Sequence, residues 1–239
     1  PSKAQGRLRR DLTFGVQSRP HWAVPSGGSI LSKEPRTMLV LNCDPAENWK
    51  NIARGVSVLK AGGVIVYPTD TVYGMGCDLL NKRAIEKIYQ YKKMPRQKPL
   101  SFICHDLAMV SEYAQLSNAA YKLMRRLLPG PYTFILQATR LVPKVIQSKQ
   151  QTVGIRVPAN EFCLELVQKL GNPMINTSAS VDLDEVISDP DAIQREFHLI
   201  DLMLSDGPLE SELSTIVDLT GDEPVLIREG KGDLSAHLA

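Results

Sequence analysis

"GGVIVYPTDTVYGMGCD", residues 62–78, changes character halfway along. Residues 63–68 are a short run of β-branched and aromatic side chains after a glycine stop, which reads as a buried strand. Thr69, Asp70, Thr71 and Tyr73 then fall within five positions, followed by Gly74 and Gly76. A hairpin needs a turn and no more, so this excess of hydroxyls predicts the lip of a small-molecule site. Thr69 and Thr71 would equally suit the cap of a helix starting near Val72.

Outward from this stretch, strands and helices alternate. "TMLVLN" (37–42) reads as a strand, and Trp49, Ile52, Val56 and Leu59 recur at helical spacing up to Gly62-Gly63. Residues 81–93, 117–128, 161–170 and 193–197 read as helices. Residues 99–104, 132–138, 152–157, 173–178 and 199–204 read as strands, and 214–219 with 224–229 as a closing strand pair. Several strands are joined by short loops, which predicts a mixed sheet in an α/β fold. "GMG" at 74–76 lacks the G-x-G-x-x-G spacing of a dinucleotide fingerprint.

The 239 residues are 43% hydrophobic and 23% charged, an ordinary globular balance, with a net charge of +2 too small to argue for nucleic acid. The charge is unevenly placed. Residues 1–36 carry seven Lys and Arg against Asp11 and Glu34 and lack a periodic pattern. They read as a disordered basic arm or a transit-peptide remnant, and residues 37–239 as one domain. A chain beginning at Pro1 is expected to be a fragment or a processed form. No apolar run approaches the roughly 18–20 residues of a membrane span. The four cysteines are scattered, without a C-x-x-C pair, which predicts reduced, buried thiols and neither a zinc site nor a redox dithiol.

Five clusters sit at predicted strand ends or in the loops after them, where open α/β sheets bind ligands. They are the Thr69–Gly74 turn, the Lys-rich "KKMPRQKPL" (92–100), "TVGIRVP" (152–158), "NTSAS" (176–180), and Ser214-Thr215 with Arg228. Arg156, among Val153, Ile155 and Val157, requires an anion or a carboxylate, so it reads as a structural ion-pair partner or a ligand clamp. The basic loop suits a solvated helix end as well as a phosphate. Together the clusters suit an anionic ligand with phosphates and a carboxylate.

In order along the chain, "GGVIVYPTDTVYGMGCD", K-x-x-P-x-x-K-P-L, "PGPYTFIL", "TVGIRVP", "NTSAS" and "STIVDLTGDEPVLIREG" resemble the blocks of the YrdC/YciO family, over residues 50–234. The resemblance implies an open, twisted mixed α/β sheet flanked by helices around a concave cleft. It implies an adenylate-forming nucleotidyltransferase that makes threonylcarbamoyl-AMP from threonine, bicarbonate and ATP for tRNA threonylcarbamoyladenosine modification, with Mg²⁺ on the phosphates and no covalent nucleophile or protein metal ligand. Carried onto this chain, Thr71, Arg156, Ser178 and Thr215 would hold threonine. Lys92, Lys98, Thr152, Ser180 and Arg228 would face ATP, with Thr69, Tyr73 and Ser214 in support, and Gly74 and Gly76 would allow close backbone approach. The family also implies double-stranded RNA or tRNA as a partner, no membrane, and a cytoplasmic or organellar setting (stroma or matrix if the arm is a transit remnant). Two positions depart from the synthase branch and look closer to the YciO branch. Met94 stands where a Lys-x-Arg pair has its arginine, and Ser180 where Ser-x-Asn has its asparagine. A missing charge-assisted phosphate contact is worth roughly 1.5–3 kcal/mol. The alternative is therefore an RNA- or nucleotide-binding module without efficient turnover.

Overall fold

The computed structural model describes residues 38–43, 48–96, 98–180 and 186–235. The arm expected over 1–36 lies outside them. In chain order the elements are β1 (Leu39–Asn42), α1 (Asn48–Lys60), β2 (Ile65–Tyr67), β3 (Gly74–Gly76), α2 (Lys82–Tyr91), β4 (Ser101–Ile103), α3 (Leu107–Tyr113), β5 (Ala114–Gln115) and α4 (Asn118–Leu127). There follow β6 (Tyr132–Ala138), a 3-10 turn at Lys144–Ile146, β7 (Thr152–Arg156), α5 (Glu161–Leu170), β8 (Met174–Ser178), α6 (Pro190–Glu196), β9 (Leu202–Ser205), β10 (Thr215–Asp218) and β11 (Val225–Arg228).

Side-chain caps fix where the helices start. Asn81, Asp106, Ser117 and Asn160 each accept a hydrogen bond from the backbone N–H three residues on. Each such cap contributes about 1 kcal/mol. Asp189 caps α6, whose first residue is Pro190, where the missing N–H costs nothing. Gly171 ends α5 at φ 88°, a left-handed turn that other residues resist. α1 packs on α5 and β9, and Gly55 lets Leu166 and Leu204 come close. Trp49, expected on the apolar face of α1, is instead exposed, with Lys50 Nζ 5.6 Å from its ring centroid.

The strands run β1-β9-β2-β3-β8-β4-β7-β6-β10-β11, with β5 added on β6. β1/β9, β9/β2, β4/β7 and β6/β10 are parallel, and the other pairs are antiparallel. The sheet is thus mixed and flanked by helices, as the loop lengths predict. β3 is a difference. The glycines after Tyr73 do not begin a helix. They form a strand that pairs with β2 on one side and β8 on the other. Thr69 supplies the turn that makes this possible. Its Oγ1 accepts from Thr71 N–H at 3.1 Å and donates to the Val72 carbonyl at 2.6 Å, so the chain reverses within four residues.

The glycines of β3 are there for packing. A Cβ on Gly76 would lie 2.3 Å from the Ile175 carbonyl oxygen and 2.9 Å from Tyr67 Cε1, and one on Gly74 would lie 2.7 Å from Tyr67 Cζ. The close approach expected at these residues is therefore that of the fully buried Tyr67 ring. Gly76→Ala is expected to lower unfolding free energy by about 1–3 kcal/mol, measured by denaturant titration, because the backbone of β8 cannot yield. An unchanged midpoint would mean that β3 is looser than this packing requires.

Candidate active site

Side chains two apart on a strand share a face, and that rule assembles the site. Thr152, Gly154 and Arg156 of β7, Asn176 and Ser178 of β8, and Thr133 and Ile135 of β6 all line one cavity of about 250 Å³. The alternate residues Ile155, Phe134 and Ile175 are buried in the core, while Val153 and Thr177 also reach the cavity. Register carries the lining across the sheet, from Gly74 opposite Ser178 to Ser101 opposite both Asn176 and Gly154. On the far side Ile216 lies opposite both Thr133 and Arg228. Gly74 and Ser101 line the cavity with Gly154. The cavity thus lies over a face of the sheet, whereas the sequence pointed to strand ends.

The hydroxyls of this floor are wired from below. Tyr67 OH donates to Asn176 Oδ1 at 2.7 Å, and burial holds the phenol well above its ordinary pKa, so it stays a donor. Asn176 Nδ2 in turn reaches Ser101 Oγ at 3.3 Å, and Ser101 Oγ donates to the Asn176 carbonyl at 2.9 Å. Thr133 and Ser214 share a bond of 2.8 Å, and Ser148 and Thr152 one of 2.6 Å.

Arg156 sits at this face with its charge already met. Nη2 donates to Asp70 Oδ1 at 2.7 Å and to Thr71 Oγ1 at 3.0 Å, while Nε is buried without a hydrogen-bond partner. Both ion-pair side chains are over nine-tenths buried. Asp70 Oδ2 accepts from Ala159 N–H at 2.8 Å. The ion-pair half of the expectation for Arg156 thus has a partner, Asp70, that sequence reasoning grouped with the turn and gave no role. Arg228 holds the Ser214 carbonyl through Nη2 at 2.7 Å, and burial and then the nearby Arg156 charge lower its pKa. The cavity is thus lined by two guanidinium groups, one paired with a carboxylate and one bonded to a backbone carbonyl.

Nine expected residues line the cavity: Thr71, Tyr73, Lys92, Lys98, Thr152, Arg156, Ser178, Ser214 and Arg228. Two of these are committed elsewhere. Tyr73 OH donates to the Gly207 carbonyl at 2.6 Å and accepts from Asp206 N–H at 2.8 Å. Lys92 is buried, with Nζ donating to the Ser178 carbonyl at 2.8 Å and to the Ser180 carbonyl. Three expected residues are not in the lining. Thr69 is spent on its turn. Ser180 is fully buried and accepts from Ile187 N–H at 2.8 Å. Thr215 is buried and donates to the Gly232 carbonyl at 2.6 Å. Met94, the departure on the basic loop, does line the cavity. Ser101, Thr133, Ser148, Asn176 and Thr177 are the lining polar groups that the sequence reading left without roles. Strand alternation would have found Ser101, Thr133 and Asn176, but not Thr177, which is out of phase with them, nor Ser148, which is held by its turn to Thr152.

Among the described residues no three His, Cys, Asp or Glu side chains group to hold a metal, and no helix is long and apolar enough to cross a membrane. All four thiols are free; Cys77, Cys104 and Cys163 are buried and Cys43 is half-buried. Burial pushes Cys163 and Cys43 up to about 12.

The fold and the site define an α/β protein with a cavity on the face of its sheet, lined by apolar groups, hydroxyls and four cationic side chains. Residues 57–230 match the family of Sua5, YciO and YrdC proteins, described as "Telomere recombination", and the chain belongs to that family. It is 40% identical over 190 residues to YciO of Escherichia coli K12, covering 78% of this chain and 92% of that one. The crystal structure of E. coli YciO superposes with a TM-score of 0.75 at 36% identity, covering 83% and 97% of the two chains. The threonylcarbamoyl-AMP synthase of Pyrococcus abyssi is 30% identical over 198 residues, 81% of this chain and 58% of that protein. P. abyssi Sua5 complexed with L-threonine matches with a TM-score of 0.75 at 28% identity over 81% and 57% of the chains. The relatives of this chain therefore include threonylcarbamoyl-AMP synthases.

Two outcomes test this description. Lys92→Met leaves the Ser178 and Ser180 carbonyls without their donor and is expected to cost about 1–3 kcal/mol of stability by thermal unfolding. A lysine free to serve only a ligand would show no such loss. The thiols give a pH dependence. Their folded pKa values exceed the ordinary value near 9, so the neutral form favours the fold. Their contribution is complete below about pH 9 and is lost as pH rises toward 12. Chemical denaturation from pH 8 to 11 should show stability falling, and Cys43→Ala with Cys163→Ala should flatten the decline.

Proposed function

We propose that the chain binds L-threonine and ATP in this cavity and forms threonylcarbamoyl-AMP and pyrophosphate, with weak turnover, as a relative acting in tRNA threonylcarbamoyladenosine modification. The observation that carries this reading is convergence. Thr71, Arg156 and Ser178 come from three separate segments to one cavity that Lys98 and Arg228 also line. A related protein of matching fold is solved with threonine.

In this reading Arg156 grips the amino-acid carboxylate, and Thr71 and Ser178 orient the rest. The threonine amine and bicarbonate give a carbamate with loss of water. A carbamate oxygen attacks the α-phosphorus of ATP, and the bond to the bridging oxygen breaks to release pyrophosphate. No protein nucleophile is needed. The chain's residues position the reactants and oppose the charge on the phosphorane oxygens. Lys98, Thr152 and Arg228 are the groups for that task, and Mg²⁺ arrives on the ATP phosphates.

A binding module for nucleotide or double-stranded RNA without efficient turnover is the second reading. Met94 in the lining, the buried Ser180 and the engaged Lys92 favour it. Pyrophosphate release decides between them. Release that requires both threonine and bicarbonate supports the synthase reading, and ATP binding without such release supports the module.

Arg156→Lys keeps a charge but not the planar fork. Threonine affinity by calorimetry is expected to fall by roughly ten- to a hundredfold, with the variant still folded. Unchanged affinity would remove the carboxylate grip. Met94→Arg adds a guanidinium to the cavity and is expected to raise threonine-dependent pyrophosphate release by about tenfold. No gain would mean that this position does not limit turnover.

A further inference from the structure

Arg156 meets the cavity with a carboxylate fixed against its guanidinium. Asp70 cannot turn away without a second loss, because its Oδ1 holds Arg156 and its Oδ2 holds Ala159 N–H. Its carbonyl also accepts from Lys231 Nζ at 3.0 Å, and Lys231 is paired with Glu210. The turn that carries Asp70 is thus held from β7, from the segment after β7 and from the segment after β11.

A fixed negative charge behind a binding cation acts unequally on different ligands. A simple anion feels its repulsion on every unit of charge. A zwitterion feels only the difference between what its carboxylate loses and what its ammonium gains, so much of the effect cancels. Without Asp70, Arg156 and Arg228 would both present uncompensated charge to one buried space, a general trap for small anions. Burial first, and then the Arg156 charge, already lower the Arg228 pKa.

We propose that Asp70 sets the selectivity at Arg156, disfavouring multiply charged inorganic anions such as phosphate there and so reserving that guanidinium for the carboxylate of a zwitterionic amino acid. The proposal rests on the amino-acid reading of the site. Asp70 is a specificity-determining residue that acts through Arg156.

Asp70→Asn removes the charge while keeping an oxygen for Ala159 N–H. Calorimetry on the full chain compares inorganic phosphate with L-threonine in wild type and variant. Phosphate affinity is expected to rise about tenfold or more, while threonine affinity moves by less than about threefold. Equal changes for both ligands, as from a merely structural role, would overturn the proposal, and so would an absent gain for phosphate. If wild type binds no threonine, the functional reading and the amino-acid half of this proposal fall together. The phosphate comparison then still decides whether Asp70 restrains anion binding. If the variant does not fold, competition on the wild-type protein decides. A large excess of phosphate should leave the threonine isotherm in place, and displacement would overturn the proposal.

Discussion

The contact between Arg156 and Asp70 joins parts of the chain that are 86 residues apart. A buried guanidinium alone is strongly disfavoured, and so is a buried carboxylate. Removing either partner of such a pair typically costs about 3–5 kcal/mol. Arg156 therefore fixes the turn at 69–72 over the end of β7, and that turn fixes where β3 begins. β3 in turn sets Gly74 opposite Ser178, so the hydroxyls of one loop and the carbonyls of another are placed by one electrostatic requirement. The pair is a poor way to gain stability, since two apolar side chains of similar size would serve as well. Its use is in setting the orientation of the Arg156 cation at the cavity in advance.

The sheet shows why the sequence disclosed the elements more readily than the cavity. Apolar runs such as Val153–Val157 and Phe134–Leu136 announce strands through composition. The central helices and strands fall within a few residues of where periodicity puts them. "TVGIRVP" also holds the site in plain alternation, with Thr152, Gly154 and Arg156 on one face and Val153, Ile155 and Val157 on the other. Read as an arginine among valines, the segment buries a charge in the core. Read with a period of two, it puts the charge on the opposite face. Asp70 as the partner was not legible, because nothing local to either segment encodes a contact across such a distance. β3 was missed because glycines mark turns more often than strands, and the tight fit against Tyr67 is a property of the assembled sheet.

Lys92 shows the limit of carrying a role from a motif to a structure. Its place in the pattern suits a phosphate. In the fold it lies at the end of α2, buried against the loop that follows β8, where carbonyls of Ser178 and Ser180 receive its protons. Those carbonyls belong to the same segment whose side chain Ser178 lines the cavity. The cation that the motif offers to one ligand group thus organises the wall for another. Ser180 is drawn into the same structural duty through Ile187 N–H.

This shared use bears on how fast phosphoryl chemistry could run here. For Lys92 to move onto a phosphate, its bonds to the 178–180 carbonyls must first break. The gain is then only the difference between a charge-assisted bond to phosphate and the bonds already made, minus the cost of leaving buried carbonyls unpaired. A lysine already in solvent would bring the whole of its interaction to the transition state. Met94 contributes no charge in compensation, and its thioether makes that part of the cavity apolar. Lys98 and Arg228 remain, and Arg228 is itself bound to the Ser214 carbonyl. Two of the cations that line the cavity, Lys92 and Arg228, are thereby shared with the protein's own backbone. Charge of that kind can hold an anion in the ground state, but it gives little extra as negative charge builds on the oxygens at phosphorus. Since only interactions that strengthen in the transition state accelerate a reaction, a cavity whose cations are shared in this way is better suited to binding an anion than to fast phosphoryl transfer.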